Sequence, residues 1–106
     1  MTALPPAAFL ALSGALLGVG IFGLLSRRNF VLLLVAIEIA MNAAILNFVY
    51  FAAFATNPVV GLSGQSIAVV VVGFAATEVA VGLAIVLALN RSQGTIDVRR
   101  ATELKE

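Results

Sequence analysis

The sequence contains no cysteine and no histidine, and it carries little charge. Without these two residue types, disulfide bonds, thiolate chemistry and the usual zinc, haem and iron–sulfur ligand sets are excluded. Only 10% of the 106 residues are charged, whereas about a quarter is typical of a soluble domain. The formal net charge of +1 gives no reason to expect a nucleic-acid partner.

The sequence consists mainly of long apolar runs. Hydrophobic residues make up 62% of the chain, and the mean hydropathy is +1.16. A membrane-spanning helix needs about 20 apolar residues, and three runs have that length: about 7–25, 30–55 and 67–89. Helices of a soluble core are the alternative, but three such runs exceed what one small core holds. The sequence predicts an all-α membrane protein, a single membrane domain over 1–106 with three transmembrane helices and a polar tail over 90–106.

Polar residues between the runs predict where the helices begin and end. Asn29 precedes the second run, and its side-chain oxygen is suited to cap that helix. Pro58 disfavours helix in the residue before it, so we expect the second helix to stop there. The glycine- and serine-containing stretch 57–66 predicts a loop, with Ser63 or Ser66 as a possible cap of the third helix.

Basic residues predict the orientation. They lie in the first loop and in the tail: Arg27, Arg28, Arg91, Arg99, Arg100 and Lys105. Three spans put the first loop and the tail on one side, and the positive-inside rule makes that side the cytoplasm. We therefore expect the N-terminus outside and the C-terminus in the cytoplasm. No basic residue precedes the first run, so we expect it to stay in the membrane and not to be removed as a secretory signal.

Four glycines in the first run predict close helix packing. Gly14 and Gly18 form a GxxxG pair, which lets another backbone approach closely. Gly20 and Gly23 project to a different side of the same helix. The first helix is therefore expected to have neighbours on more than one face.

Glu38 and Glu78 are the only charged side chains inside the apolar runs. An ionised carboxylate near the bilayer centre costs on the order of 2.5 kcal/mol or more. Glu38 is expected roughly 13 Å from Asn29, and Glu78 roughly 18 Å from Asn90, at 1.5 Å per residue. The two carboxyls thus lie at similar depth on antiparallel helices, which favours a proton relay. A structural glutamate that locks the helices together is the alternative.

Each glutamate has a candidate helper one helical turn away. Asn42 follows Glu38 and is expected to hold a water molecule or the carboxyl itself, while Gly82 follows Glu78 and is expected to leave space for water or a partner side chain. Three helices do not enclose a water-filled path, and the spans contain no basic residue. Other subunits must supply the missing groups, so we expect no catalysis by the isolated chain.

Three stretches together carry a resemblance: Arg27-Arg28-Asn29, the Glu38–Ala44 segment and the Ala75–Ala84 segment. From about residue 10 to residue 94 the chain resembles the K subunit (4L in mitochondria) of complex I, the NADH–quinone oxidoreductase. The resemblance implies a membrane-arm subunit beside antiporter-like subunits, with Glu38 and Glu78 as the relay carboxylates of proton translocation. Arg27 and Arg28 match the family's cytoplasmic loop.

The resemblance also implies that this chain holds no cofactor, and that NAD, FMN, iron–sulfur clusters and quinone bind elsewhere in the complex. The expected location is the inner (plasma) membrane of the cell, as a multi-pass protein; the electron donor, the quinone type and the organism stay open. A C-type subunit of a multi-subunit sodium/proton antiporter, or of a related hydrogenase or ferredoxin-linked complex, is the alternative. A small multidrug exporter needs four spans, an ATP synthase rotor subunit is a two-helix hairpin, and a structural assembly factor would tolerate neutral replacement of both glutamates.

Overall fold

The computed structural model describes residues 4–101, and these are almost entirely helical. The helices are α1 (Pro6–Ser26), α2 (Phe30–Ala53), α3 (Pro58–Gln93) and the short α4 (Val98–Ala101). Helices α1, α2 and α3 are each long and apolar enough to cross a membrane. The prediction of an all-α protein with three transmembrane helices is confirmed. The bounds of α1 and α2 lie within two residues of the predicted runs.

Helix α3 begins much earlier than the sequence predicted. It starts at Pro58, so the loop expected over residues 57–66 is wrong. Asn57 caps the helix by accepting a hydrogen bond from the backbone N–H two residues on (2.9 Å), and proline is suited to the first turn of a helix. Ser63 and Ser66, the predicted caps, lie inside α3, where the Ser66 hydroxyl donates to a carbonyl of the preceding turn.

Two glycines in this first part of α3 allow close contact with α2. A Cβ added at Gly61 would lie 3.0 Å from the carbonyl oxygen of Ala52, and one added at Gly64 would lie 2.8 Å from the Cβ of the same alanine. Real Cβ atoms are hardly ever that close, so only glycine lets the two helices approach to this distance. The small residues that suggested a loop therefore form a helix contact.

Helix α3 also ends later than predicted. It runs four residues beyond Leu89, the end of the third apolar run, so the first part of the polar tail is helical. It stops at Gly94, which has the left-handed φ of 65° and donates its backbone N–H to the carbonyl of Asn90. With 36 residues, α3 is about 54 Å long at 1.5 Å per residue. The hydrocarbon core is about 30 Å thick, so α3 projects beyond it.

Helix α1 packs on α2 through Gly20 and Gly23. A Cβ at Gly20 would lie 2.8 Å from the Cβ of Ala40 and 2.9 Å from the carbonyl oxygen of Ala36. A Cβ at Gly23 would lie 2.8 Å from the Cβ of Ala36. Helix α2 thus has a glycine-lined contact on each side, one with α1 and one with α3, and forms the middle of the structure.

The other pair of glycines in α1 faces away from the described chain. Nothing lies within 4 Å of a Cβ built at Gly14 or Gly18. The two glycine pairs of α1 therefore differ. Gly20 and Gly23 pack against α2, whereas Gly14 and Gly18 lie on a face without a neighbour among the described residues. The spans as a whole bury little: 11% of the most apolar window of α1 and of α3, and 17% of that of α2. Most of the apolar surface is left for lipid or for other proteins.

The first loop and the tail are joined at one end of the structure. Asn29 and Asp97 form an isolated antiparallel bridge. Two backbone hydrogen bonds flank it, Phe30 N–H to the Ile96 carbonyl (3.0 Å) and Val98 N–H to the Arg28 carbonyl (2.8 Å). Asn29 also caps α2 as predicted, accepting from the backbone N–H of Val31 at 2.9 Å. The first loop and the tail therefore share one side, while Lys105 lies outside the described residues.

We expect Gly20→Ala to loosen α1 from α2, because the new Cβ would meet backbone atoms of α2 at 2.9 Å. Overpacking of this kind costs about 1–3 kcal/mol. The free energy of unfolding of the purified chain in detergent micelles measures the effect. Gly18→Ala is the control. It brings the same gain in helix propensity, but a Cβ at position 18 has no other atom within 4 Å. Equal stability of the two variants would contradict the contact.

Candidate functional site

Glu38 lies near the middle of α2, on the side that faces α3. Leu34 contacts α3 at Gly82, and Glu38 is one helical turn further along the same side of α2. The residue is half-buried, and its Oε1 is buried without a hydrogen-bond partner among the described residues. A buried carboxyl oxygen is costly when it is unpaired. Glu38 is therefore a polar group that the described residues leave unsatisfied.

Glu78 lies in the second half of α3 and is exposed. It lines an open, mostly apolar cleft of about 450 Å³ between α2 and α3. The other lining residues are Leu34, Phe74, Thr77, Val81, Gly82 and Ile85. The hydroxyl of Thr77 donates to the carbonyl of Phe74 (2.7 Å), so it is occupied by its own helix. The Glu78 carboxyl is thus the ionisable group of this cleft.

The helix register puts the two glutamates at one level. Gly82 lies against Leu34, and Gly64 lies against Ala52, so the same antiparallel register holds at both places. Four residues forward from Leu34 is Glu38, and four residues back from Gly82 is Glu78. Equal steps along antiparallel helices keep two residues opposite each other. Glu38 and Glu78 therefore share one level of the helix pair, in agreement with the depths counted from the helix ends.

Comparison with known proteins identifies the family. The family of NADH-ubiquinone/plastoquinone oxidoreductase chain 4L matches residues 8–106. NADH-quinone oxidoreductase subunit K of Bacillus anthracis is 43% identical over 105 residues, 99% of each chain. Subunit K 1 of Syntrophobacter fumaroxidans is 44% identical over 98 residues, 92% of this chain and 93% of the relative. The chain belongs to the 4L family. Of the two families that the sequence left in competition, the matches favour the oxidoreductase over the C-type antiporter subunit.

The two expected helpers in this 4L-family chain, Gly82 and Asn42, have different surroundings. The Leu34 side chain of α2 lies beside Gly82, and its Cδ2 would lie 2.5 Å from a Cβ at that position. Gly82 therefore serves the contact between α2 and α3, and it also lines the open cleft of Glu78. Asn42 is exposed, and it does not bond the buried oxygen of Glu38.

Arg27 and Arg28 lie at the end of the structure and not at the glutamates. Both are exposed in the loop between α1 and α2, and the Arg28 carbonyl accepts a hydrogen bond from the tail. Both arginines precede α2, and Glu38 lies eight residues beyond the first residue of that helix, roughly 12 Å along its axis. The two arginines are therefore placed to interact with the membrane surface or with neighbouring proteins, at a distance from Glu38 and Glu78.

Asn47 is a polar residue that the sequence analysis missed. It lies in α2, and its Oδ1 is buried without a hydrogen-bond partner among the described residues. The signal was present in the sequence, because Asn47 is an amide inside a long apolar run. Its burial follows from packing, which the sequence alone does not show. Asn47 is nine residues from Glu38, roughly 13 Å along the helix, and so belongs to a different part of α2.

We expect a hydrophobic carbodiimide to modify Glu78 several times faster than Glu38 in the purified chain. Glu78 is exposed at an open cleft, whereas one oxygen of Glu38 is buried. Mass spectrometry of the peptides that contain each glutamate measures the two rates. Glu38→Gln and Glu78→Gln assign the modified sites. Equal rates, or faster modification of Glu38, would contradict the difference in exposure.

Proposed function

We propose that this chain is a membrane-arm subunit of a proton-translocating NADH–quinone oxidoreductase, in which Glu38 and Glu78 pass protons along the relay coupled to quinone reduction. The observation that carries the proposal is the shared level of the two carboxyls on α2 and α3. Membership of the 4L family supports the enzyme complex. The cost of a carboxylate in hydrocarbon supports a functional reason for both glutamates.

The two carboxyls suit proton transfer because a protonated carboxyl is a proton donor and an ionised carboxyl is a proton acceptor. A protonated glutamate donates its proton through water to an ionised one. The negative charge moves in the opposite direction. The Oε1 of Glu38 makes no hydrogen bond to the described residues, so none of them holds this oxygen in a fixed pair.

The proposed partners are the other membrane-arm subunits, including antiporter-like subunits, together with the lipid bilayer. NAD, FMN, iron–sulfur clusters and quinone bind in other subunits, and this chain is not expected to hold a cofactor. We assign the N-terminus to the outside and the C-terminus to the cytoplasm of the plasma membrane. The bridge between Asn29 and Asp97 supports this assignment, because it holds the basic residues of the first loop and of the tail at one end.

A structural lock is the competing role for the glutamates. In that role a protonated carboxyl would bond a group on a neighbouring helix of the chain and hold the two helices together. The Oε1 of Glu38 has no such partner among the described residues, and α2 and α3 are held by glycine contacts. The geometry within the chain therefore favours a carboxyl that exchanges partners.

Glu38→Gln is expected to lower proton pumping roughly tenfold or more, since a positioned proton-transfer group typically contributes at least a hundredfold to its step. The assembled complex should form in normal amounts, because glutamine has nearly the same shape. Proton pumping in membrane vesicles and native gels of the complex measure the two quantities. Glu38→Asp, which keeps a carboxyl, is the control and should recover part of the activity. Normal pumping by Glu38→Gln would refute the relay role.

The chain alone is expected to conduct no protons, because three helices enclose no path across the membrane. Liposomes that contain only this polypeptide, loaded with a pH-sensitive dye, test this after a potential is imposed. The dye signal should match that of empty liposomes until an uncoupler is added. Proton flux well above that background would show that the chain forms a path by itself.

A further inference from the structure

The chain beyond α3 turns back onto the beginning of α2. The antiparallel register of the two helices places Val86 roughly opposite Phe30, so α3 runs about seven residues, roughly 10 Å, past the start of α2. Gly94, with its left-handed φ of 65°, ends the helix there and reverses the chain. Three residues are enough to span about 10 Å on the way back. We name residues 95–98 the tail strap.

The tail strap completes the cap of α2. The first amides of a helix have no carbonyl partner inside it. The Asn29 side chain accepts hydrogen bonds from the amides of Val31 and Leu32. The amide of Phe30, the first residue of α2, donates to the carbonyl of Ile96 in the tail strap at 3.0 Å. Without the strap, this amide would have no partner among the described residues.

The hydrogen bonding is reciprocal. The amide of Val98, the first residue of α4, donates to the carbonyl of Arg28 at 2.8 Å. The Asp97 carboxylate accepts from the next amide of α4, that of Arg99, at 2.9 Å. The Thr95 hydroxyl accepts from the amide of Asp97 at 3.1 Å, which fixes the shape of the strap before the bridge. Helices α2 and α4 therefore each begin with an amide that is bonded by the other segment.

The position of the tail strap gives it leverage on the first loop. Helices α1 and α3 both pack on α2, and the strap connects the end of α3 to the loop between α1 and α2. Arg27 and Arg28 directly precede Asn29, the residue that forms the bridge with Asp97. A contact that fixes Asn29 therefore also fixes the backbone from which both arginines project.

We propose that the tail strap holds the beginning of α2, and with it Arg27 and Arg28, in one position against the end of α3, and that it stays closed in the assembled enzyme. This assigns the polar segment after α3 a role of its own. The inference goes beyond the proposed function and does not rely on the proton role of the glutamates.

Val98→Pro tests the hydrogen bonds of the strap. Proline removes the amide that bonds Arg28, but it is suited to the first position of a helix and to the extended residue before it. The loss of one hydrogen bond should raise the exchange rate of the Phe30 amide by about threefold to tenfold. Hydrogen exchange of the full chain in detergent micelles, followed by NMR, measures this rate.

Val98→Ala is the matched control, because alanine shortens the same side chain but keeps the amide. Exchange at Phe30 should stay near that of the unmodified chain. The amide of Ala40, inside α2, should not change in either variant, which checks that the spans are intact. Unchanged exchange at Phe30 in Val98→Pro, or an equal rise in Val98→Ala, would contradict the proposal.

A disulfide tests whether the strap is closed in the whole enzyme in native membranes. The chain has no cysteine of its own. The hydrogen bonds that flank the bridge make Asn29 and Asp97 a non-hydrogen-bonded pair, in which the Cα atoms are about 4.5 Å apart, within disulfide range. Asn29→Cys combined with Asp97→Cys should therefore form a disulfide in most chains under mild oxidation. Thiol labelling and mass spectrometry measure the yield.

The control pair is Asn29→Cys combined with Thr95→Cys. A diagonal pair in an antiparallel bridge is on the order of 7 Å apart, too far for a relaxed disulfide. Its yield should be at least about fivefold lower. Equal yields from the two pairs would show a tail that moves freely past the loop and would overturn the proposal. Neither exchange nor disulfide yield depends on proton transfer, so normal pumping in Glu38→Gln would remove the relay and leave the strap.

Discussion

The close approach of α2 to α1 and α3 is the contact on which the rest of the structure depends. Gly20 and Gly23 on one side, and Gly64 and Gly82 on the other, let side chains of α2 fill the space where a Cβ would stand. Lipid tails are as apolar as leucine, so helices in a bilayer associate through such packing and not through the hydrophobic effect. Because these contacts set the antiparallel register, they also determine which polar groups share a level.

The polar groups of the spans divide into two kinds. Most hydroxyls bond a carbonyl of their own helix and need nothing else. Glu38 and Asn47 each have a buried oxygen without a partner, and both belong to α2. In hydrocarbon such oxygens are costly until another group bonds them. A third such oxygen, Oε1 of Gln93, lies at the end of α3. The central helix therefore carries two of the three buried side-chain oxygens that the described residues leave without a partner, which is the pattern expected of a subunit that is completed by its neighbours.

The parts of the fold that could be predicted from sequence are those that depend on local chemistry. Apolar length predicts the three spans, and the short polar side chain of Asn29 predicts the cap of α2. The start of α3 was predicted wrongly because glycine, serine and proline favour loops in water. Inside a bilayer an open backbone has no water to bond, so the helix continues and its glycines become packing surfaces.

In the candidate site, too, features that follow from counting residues along one helix were predictable, and contacts between helices were not. The similar depth of Glu38 and Glu78 follows from counting residues along two helices, and the structure places them at one level. The neighbour of Gly82 was not predictable, because the residue opposite a glycine depends on the register of another helix. The unpaired oxygen of Asn47 was missed for a related reason. An amide in an apolar run is visible in the sequence, but only packing decides whether its oxygen is covered.

The shared level of the two carboxyls also limits what the chain does in the proposed relay. A proton that passes between Glu38 and Glu78 moves parallel to the membrane plane, because neither residue is deeper than the other along the helix pair. Moving a charge across the bilayer requires work against the membrane potential, about 2.3 kcal/mol per charge at 100 mV, whereas lateral movement requires none. Transfer between these two groups therefore requires no work against the membrane potential. On this proposal the chain connects neighbouring proton paths sideways, and the step against the potential belongs to the subunits on either side of it.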